Sequence, residues 1–226
     1  MGYRVKNTKI LTPEQLVGIL HRSAALYSEY ANTTLLFIFR EKKSDEYDYY
    51  EVRFGKNNFM HLAGIKSETM NAVEFYEACI EGTVTKEACN PRRDTTTMYS
   101  KVSILEQMLD LRHSKCYKIG RKDLVTRDND FEMATGNLTG VIGYDSRINV
   151  KGTNKIDTQK APIPTTLLNN SITSYCSKPN KIMFILQKVD GESTYHKLFY
   201  EIKKDIFQTE MEAFTDDLKS LIELEN

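Results

Sequence analysis

Two neighbouring β-strands near residue 40 constrain the fold more than any other feature of the chain. The run TTLLFIFRE, residues 33–41, is rich in β-branched and aromatic residues, and the polar turn EKKSDE separates it from YDYYEVRFG, residues 47–55. In the second run Tyr50, Val52 and Phe54 occupy alternate positions, which is the period of a strand with one buried face. The two runs predict a β-hairpin and therefore an antiparallel sheet.

Helical periodicity surrounds this hairpin. Thr12, Pro13 and Gln15 have the residue types of a capped helix start, and apolar residues recur at helical spacing up to about residue 30. We expect a short helix from residue 67 to a glycine at residue 82, and a longer one at about residues 97–113. Helices therefore dominate the first half of the chain.

The second half has the character of a sheet, with one long polar interruption. Residues 146–168 form a polar segment of the kind that is usually a functional loop or disordered. Short strands are expected near residues 115–120, 131–135, 139–144, 181–188 and 194–201. The fold class is therefore α+β, with N-terminal helices, an antiparallel sheet and a covering helix at the C-terminus.

The C-terminal residues differ from the rest in charge. The net charge is zero, but residues 205–226 contain seven acids and one lysine, so residues 1–204 carry a net charge of plus six. Apolar residues from Phe207 to Leu221 recur at spacings of four and three, which predicts one amphipathic helix. We therefore divide the chain into residues 1–204 and an acidic helix at 205–226. That helix could restrain binding of polyanions by the basic body, or its apolar seam could form a homodimer.

Several functional classes lack support. The chain has 226 residues, 40% of them hydrophobic, and contains no apolar stretch of the roughly 18–20 residues that a membrane helix needs. Without an export signal, we expect a cytoplasmic protein with no membrane association and with free thiols at its four scattered cysteines. No phosphate-binding glycine loop occurs, and the four histidines lack partners at metal-ligand spacing, so neither a metal nor another cofactor is expected.

Metal-free acid and base chemistry remains, and histidine is the natural residue for it because its pKa lies near neutrality. His61 is the strongest candidate. It lies in the stretch NNFMHLAGIK, residues 57–66, between two asparagines and a glycine. The ordinary alternative is a histidine that simply packs in the core.

A longer run around His61 resembles a known family. The segment EVRFGKNNFMHLAGIKSETMNAVEFYEACIEG is similar to the pattern Phe-x-x-x-Asn-Phe-x-His-Leu-(Thr/Ala)-Gly-(Val/Ile), followed by a helix with Phe-Tyr that ends in Glu-Gly. This pattern belongs to the fourth of the phage barnase, EndoU, colicin and RelE-like nuclease families. Further matches are YKIG, VIGY, PTTLL, IMFILQK and YHKLFYEI, so the resemblance covers about residues 10–205. Two positions depart from the family in a mild way, with Ala63 before the glycine and Thr165 where serine is usual.

The resemblance implies a curved antiparallel sheet of the barnase and RelE type and a metal-independent endoribonuclease of the toxin or phage-conflict kind. In such enzymes the 2′-hydroxyl of the RNA attacks the adjacent phosphate, which requires a base, an acid and groups that stabilise the phosphorane charge. His61 would be the acid or base. Candidates to bind or donate to the phosphate are Arg53, Lys56, Lys188, Thr165 and Thr166. Each also has an ordinary interpretation, the cations as exposed strand residues and the threonines as caps.

RNA contacts beyond the catalytic centre are expected at two basic segments. The first is RHSKCYKIGRK, residues 112–122, which contains no acid, and the second lies in the long polar segment. The residues concerned are Arg112, Lys115, Lys118, Arg121, Lys122, Lys151 and Lys155. A solvated surface is the ordinary alternative.

A second hypothesis comes from a different class. The same fold could be catalytically inactive and could bind nucleic acid or a protein, for example as a phage-encoded inhibitor of a host defence protein. A protein partner such as an antitoxin or a defence protein is compatible with both hypotheses. They differ in whether His61 is needed for activity.

Overall fold

The computed structural model describes residues 10–42, 44–113, 131–146, 161–176 and 178–224, and the backbone of residues 118–120. The helices among these are Pro13–Ser28 (α1), Asn58–Leu62 (α2), Ala72–Glu81 (α3), Thr95–Leu109 (α4), Phe207–Met211 (α5) and Asp216–Ser220 (α6). The strands are Thr33–Arg40 (β1), Tyr47–Phe54 (β2), Ile65–Lys66 (β3), Asn90–Pro91 (β4), Lys118–Gly120 (β5), Met133–Gly136 (β6), Val141–Asp145 (β7), Ile163–Leu168 (β8), Asn180–Val189 (β9) and Lys197–Glu201 (β10). Within this part of the chain, no helix is both long enough and apolar enough to cross a membrane.

The main sheet is antiparallel and strongly curled. Its strand order is β2-β1-β9-β5-β6-β7-β8, and β10 also pairs with β9. Although β2 and β8 lie at opposite ends of this order, the Arg53 backbone N–H donates to the Pro162 carbonyl at 2.9 Å. The curl brings β8 next to α2, which carries His61. A second, two-stranded sheet pairs β3 with β4.

Strand β1 is buried on both faces, which explains its nearly continuous apolar sequence. Leu35, Phe37 and Phe39 face the helix-side core, which we define as the apolar cluster between the sheet and helices α1 to α4. Leu36 and Ile38 face the opposite side. The tail-side core, as we call that second cluster, consists of Leu36, Ile38, Tyr47, Phe184, Leu186, Tyr195, Phe207, Phe214 and Leu218.

The predicted hairpin and α+β class are confirmed. β1 and β2 pair along their whole length, from Thr33 opposite Phe54 to Arg40 opposite Tyr47. The start of α1 is also confirmed, because the Thr12 side chain accepts from the Gln15 N–H while the Gln15 side chain accepts from the Thr12 N–H. The sequence therefore determines both elements through local rules.

Two helix boundaries differ from the prediction, in each case because of a capping residue. α3 begins only at Ala72, since the Asn71 side chain accepts from the N–H groups of the first turn. α4 spans Thr95–Leu109 rather than 97–113, and its first turn is capped by Asp94. Asparagine and aspartate are strong N-caps, and they set these starts more sharply than the apolar spacing does.

The prediction that residues 146–168 form one polar loop was wrong at its end. Residues Ile163–Leu168 are strand β8, which pairs with β7. Pro164 and two threonines disguise the strand in the sequence, because proline is unusual inside sheets and is confined to edges and irregular pairings. β8 is such an edge, and its register with β7 is irregular.

The C-terminal segment was predicted as one helix and is two. α5 and α6 are separated at Thr215, whose side chain caps α6 by accepting from the Leu218 N–H. Phe207, Phe214 and Leu218 are at most 4% exposed because they pack in the tail-side core. The apolar seam predicted for a homodimer is therefore used inside the protein.

Candidate active site

His61 lies on a very short helix whose other side is fixed in the core. Phe59, Leu62 and Ala63 are fully buried in the helix-side core. The buried Asn58 side chain accepts from the Gly55 N–H at 2.8 Å and so fixes the entry to α2. His61 is on the opposite side of this helix, half-buried, and lines a pocket. The histidine is therefore not sealed in the core.

The pocket has a volume of about 390 Å³ and a cationic lining. It lies between α2, α4, β8 and the segment after β4, and none of the described residues that line it is acidic. The lining residues are His61, Gly64, Arg92, Arg93, Thr97, Lys101, Phe131, Thr165, Thr166 and Leu168. Two arginines and a lysine beside an imidazole make this pocket suited to bind a phosphate group.

The short β3–β4 pair brings the two arginines to His61. Ile65 pairs with Pro91, and the Arg92 N–H donates to the Gly64 carbonyl at 2.9 Å. The chain segment with Arg92 and Arg93 therefore runs beside the residues that follow His61. Both arginines are exposed, and no carboxylate of the described residues forms an ion pair with either.

Lys101 reaches the pocket from the second turn of α4, and Gly64 makes room for it. Gly64 has a φ of +71°, and a Cβ placed on it would lie 2.8 Å from Lys101 Cδ. The lysine stem thus crosses directly over the Gly64 backbone. Any side chain at Gly64 would displace it, which gives the glycine of the His-Leu-Ala-Gly motif a specific role.

A β-bulge lets two consecutive threonines face the pocket. Gly143 pairs with Thr166, while the next residue, Tyr144, pairs with Pro164, so Thr165 is the extra residue of the bulge. Consecutive residues of a regular strand point to opposite faces, and bulges are a common way to redirect a side chain next to an active site. The Thr165 hydroxyl donates to the Gly143 carbonyl at 3.2 Å.

Burial and the positive charges in the pocket disfavour the protonated forms of His61 and Lys101. Burial lowers the pKa of His61 to about 4, and the positive charges of Arg92 and then Lys101 act in the same direction. A hydrogen bond with the Thr165 backbone opposes this lowering, and Arg93 adds to it. Burial, followed by Arg93 and Arg92, lowers the pKa of Lys101 to about 8. At neutral pH the imidazole is therefore uncharged and Lys101 is mainly charged.

A family model matches most of the chain. Residues 19–204 match the family model described as phage-Barnase-EndoU-ColicinE5/D-RelE like nuclease4. The chain belongs to this nuclease family. No match was found among curated proteins or among solved structures. The matched range runs from α1 to β10 and includes every element that lines the pocket, whereas α5 and α6 lie outside it.

Three site residues predicted from the resemblance to this nuclease family meet in the structure. His61, Thr165 and Thr166 all line the pocket. The three predicted cations do not line it, and each pairs with a carboxylate elsewhere. Arg53 pairs with Asp190 at 2.6 Å, Lys56 with Glu77 at 2.9 Å and Lys188 with Glu51 at 3.0 Å.

The basic residues predicted to bind RNA are placed only in part. Arg112 forms an ion pair with Glu29 and lies over the Phe199 ring, 4.4 Å from its centroid. Its charge is therefore partly neutralised. Lys118 belongs to β5, of which the backbone is described. Outside the described residues lie Lys115, Arg121, Lys122, Lys151 and Lys155.

The residues that sequence reasoning missed are Arg92, Arg93 and Lys101. The arginines follow a two-residue strand, which leaves no periodic signal in the sequence, and Lys101 reads as one polar position of an amphipathic helix. The only hint is the run Pro-Arg-Arg-Asp before α4, in which two cations precede a helix cap. Among the described residues, no group of three His, Cys, Asp or Glu side chains could hold a metal ion.

Proposed function

We propose that this member of the nuclease family is a metal-independent endoribonuclease that acts in the cytoplasm as a toxin or phage-conflict effector. His61 serves as a general acid or base while the 2′-hydroxyl of the RNA attacks the adjacent phosphorus. The new bond joins the 2′-oxygen to phosphorus, and the bond from phosphorus to the 5′-oxygen breaks. The products are a 2′,3′-cyclic phosphate and a 5′-hydroxyl.

The observation that carries this proposal is the half-buried His61 imidazole in a pocket whose described lining residues include Arg92, Arg93 and Lys101 and no acid, where burial holds the pKa of the imidazole low. An imidazole that is neutral at pH 7 can accept the proton of a hydroxyl. The phosphorane that forms carries additional negative charge, and Arg92, Arg93 and Lys101 are placed to stabilise it. A binding protein without enzymatic activity would not require a neutral base beside the cations.

Cationic side chains in the pocket also favour the substrate itself. The pKa values of His61 and Lys101 are lowered partly because the arginines repel additional positive charge. A bound phosphodiester would neutralise part of that charge, so binding of the substrate relieves a repulsion that exists in the free protein. The Thr166 hydroxyl adds an uncharged group that can donate to a phosphate oxygen, whereas the single proton of the Thr165 hydroxyl already goes to the Gly143 carbonyl.

The test uses an oligonucleotide with a single ribonucleotide in a DNA background, in the presence of EDTA. We expect the wild-type protein to cleave at the ribonucleotide and to leave a 2′,3′-cyclic phosphate, identified by mass spectrometry. His61→Ala should reduce the rate by about 10²–10⁴-fold, which is the usual contribution of a general acid or base. A 2′-O-methyl ribonucleotide should block cleavage, since its oxygen has no proton to lose.

The matched control is His113→Ala, because His113 is strongly exposed and lies outside the His61 pocket. It should cleave at the wild-type rate. If the wild-type protein binds RNA without cleaving it, or if His61→Ala retains full cleavage, the enzymatic proposal is wrong. The first result would leave the inactive binding protein as the better hypothesis.

A further inference from the structure

We propose that Lys101 is a second catalytic residue, the general acid that protonates the leaving 5′-oxygen, while His61 acts as the general base toward the 2′-hydroxyl. This inference rests on the proposed function of the pocket. It assigns the two proton transfers of the cleavage step to two different side chains.

The geometry of the reaction requires two groups. The attacking 2′-oxygen and the leaving 5′-oxygen lie roughly in line on opposite sides of the phosphorus, so one imidazole cannot serve both at the same moment. Arginine stays protonated at physiological pH and cannot exchange a proton usefully. Of the described side chains that line the pocket, His61 and Lys101 are the two that can gain or lose a proton near neutral pH.

Lys101 is held in place by the main chain that follows His61. Its Cδ would be 2.8 Å and its Cε 3.7 Å from a Cβ on Gly64, so the stem packs against the turn that ends α2. Packing of the stem limits where the ammonium can go. α2 and α4 thus present the imidazole and the ammonium to the same 390 Å³ pocket.

The groups around Lys101 make it a better acid than an ordinary lysine. His61 faces it from α2, and Arg92 and Arg93 face it from the segment after β4. The Asp94 carboxylate is occupied in capping α4, where it accepts from the Thr97 N–H at 2.8 Å and the Thr97 hydroxyl at 2.6 Å. β8 contributes only uncharged groups.

Burial and the two arginines bring the pKa of Lys101 to about 8. The side chain is therefore mostly protonated at pH 7 and still gives up its proton more readily than an unperturbed lysine. General acids work best when their pKa lies near the working pH. In the cleavage step the Lys101 proton moves to the 5′-oxygen as its bond to phosphorus breaks, and His61 takes the 2′-hydroxyl proton. The protonated imidazole and the neutral amine then return to their starting states through solvent.

The experiment compares two RNA substrates that differ in the leaving atom. One has the natural 5′-oxygen and the other a bridging 5′-sulfur, which leaves as a thiolate without protonation. Lys101→Arg keeps the positive charge but cannot give up its proton, so it should be slower on the oxygen substrate by about 10²-fold or more. On the sulfur substrate it should cleave within about tenfold of the wild type, and His61→Ala should remain defective on both substrates.

Arg93→Gln is the control for a purely electrostatic role, since it removes charge without removing an acid. It should slow both substrates, and the difference between them should be far smaller than in the Lys101 variants, because Lys101 is still present as the acid and only its pKa changes. Lys101→Met, checked for folding by its thermal unfolding, should behave as Lys101→Arg does with respect to the leaving atom. If the Lys101 variants lose the same factor on both substrates, or if Lys101→Arg cleaves the oxygen substrate normally, Lys101 is not the acid. If the wild-type protein cleaves neither substrate, the proposed function itself fails.

Discussion

At the scale of single residues, the pocket holds charges that the fold itself does not need. Several cations outside the pocket are paired with carboxylates, as Arg53 is with Asp190 and Lys188 with Glu51. Lys101 is instead partly buried beside two arginines, with its pKa lowered. Burying a charge without a partner costs stability, and proteins commonly keep such a cost only where function requires it.

This arrangement predicts that Lys101→Met makes the protein more stable while it slows the cleavage of natural RNA. The lysine is charged in both the folded and unfolded states below pH about 8, so its full cost to folding is present at neutral pH. We expect the variant to gain about 1–2 kcal/mol in free energy of unfolding at pH 7, after discounting for solvent screening. Urea denaturation measures this gain.

The pH dependence of the gain follows from the lowered pKa. Between pH about 8 and 10.5 the folded wild type releases the Lys101 proton before the unfolded chain does. The unfolded state then binds more protons, so wild-type stability rises with pH and the advantage of the variant shrinks. Lys66→Met, at an exposed position of β3, is the control and should change stability by less than about 0.5 kcal/mol. Equal stability of Lys101→Met and wild type at pH 7 would contradict the explanation.

The rate of RNA cleavage should depend on pH in a bell-shaped manner that reports the pKa values of His61 and Lys101. If His61 is the base and Lys101 the acid, kcat/KM should rise as His61 loses its proton near pH 4 and fall as Lys101 loses its proton near pH 8. In Lys101→Arg the alkaline fall should disappear, because arginine does not titrate in this range. Rates over pH 4–10 on the ribonucleotide substrate measure both limbs. A single limb in the wild type, or an alkaline limb unchanged in the variant, would exclude this pair.

At the scale of elements, the site is assembled by irregular features rather than by the long helices and strands. α2 has five residues, β3 and β4 have two each, and Thr165 is a bulge. Gly64 connects the first two of these and lies directly under Lys101. Each irregular feature directs one or two functional side chains into the pocket, while the main sheet serves as the rigid support.

A pair of glycine variants tests the role of this connection. Gly64 and Gly191 both have positive φ, +71° and +100°, but a Cβ at Gly191 would meet nothing within 4 Å. Alanine at either position should destabilise the protein by about 1–3 kcal/mol through backbone strain. Only Gly64→Ala should also displace Lys101, and we expect it to lower kcat by about 10²-fold. Thermal unfolding and RNA cleavage of both variants separate the two effects, and equal activities would refute the proposed role of Gly64.

The difference between regular elements and irregular features also explains what the sequence could and could not predict. The β1–β2 hairpin and α1 were predicted correctly because their signals are local and periodic. Residue type and the flanking residues indicated His61, the resemblance added the two threonines, and the meeting of all three in one pocket depends on the curl of the sheet. Arg92 and Arg93 could not be found, because the pairing that positions them spans two residues and joins segments 26 positions apart. Arginine and lysine were predicted to bind phosphate because of their charge. Only the fold shows that the cations predicted for the catalytic centre are already paired with carboxylates.

At the scale of the whole molecule, the C-terminal segment is structural and lies away from the pocket. α5 and α6 pack in the tail-side core, on the face of β1 opposite helices α1 to α4. None of the described residues of this segment lines the pocket. A role as a direct plug of the pocket is therefore not supported, and its acidic face can act on RNA only through long-range repulsion.

Removal of residues 205–226 should consequently unfold the protein rather than release a dimer or an overactive enzyme. The truncation would expose Tyr47, Phe184 and Leu186, which are covered by Phe207, Phe214 and Leu218.

Phe214→Ala tests the same contact with one side chain, and it should cost about 3–5 kcal/mol in free energy of unfolding. Glu212→Gln, an exposed neighbour in the same segment, is the control and should cost less than about 0.5 kcal/mol. Urea denaturation followed by circular dichroism gives these values, and a truncated chain with an unchanged midpoint would show that the tail-side core is dispensable. Because loss of the fold would also lower RNA cleavage, a repulsive effect of the acidic face has to be measured instead as the salt dependence of cleavage in the full-length protein.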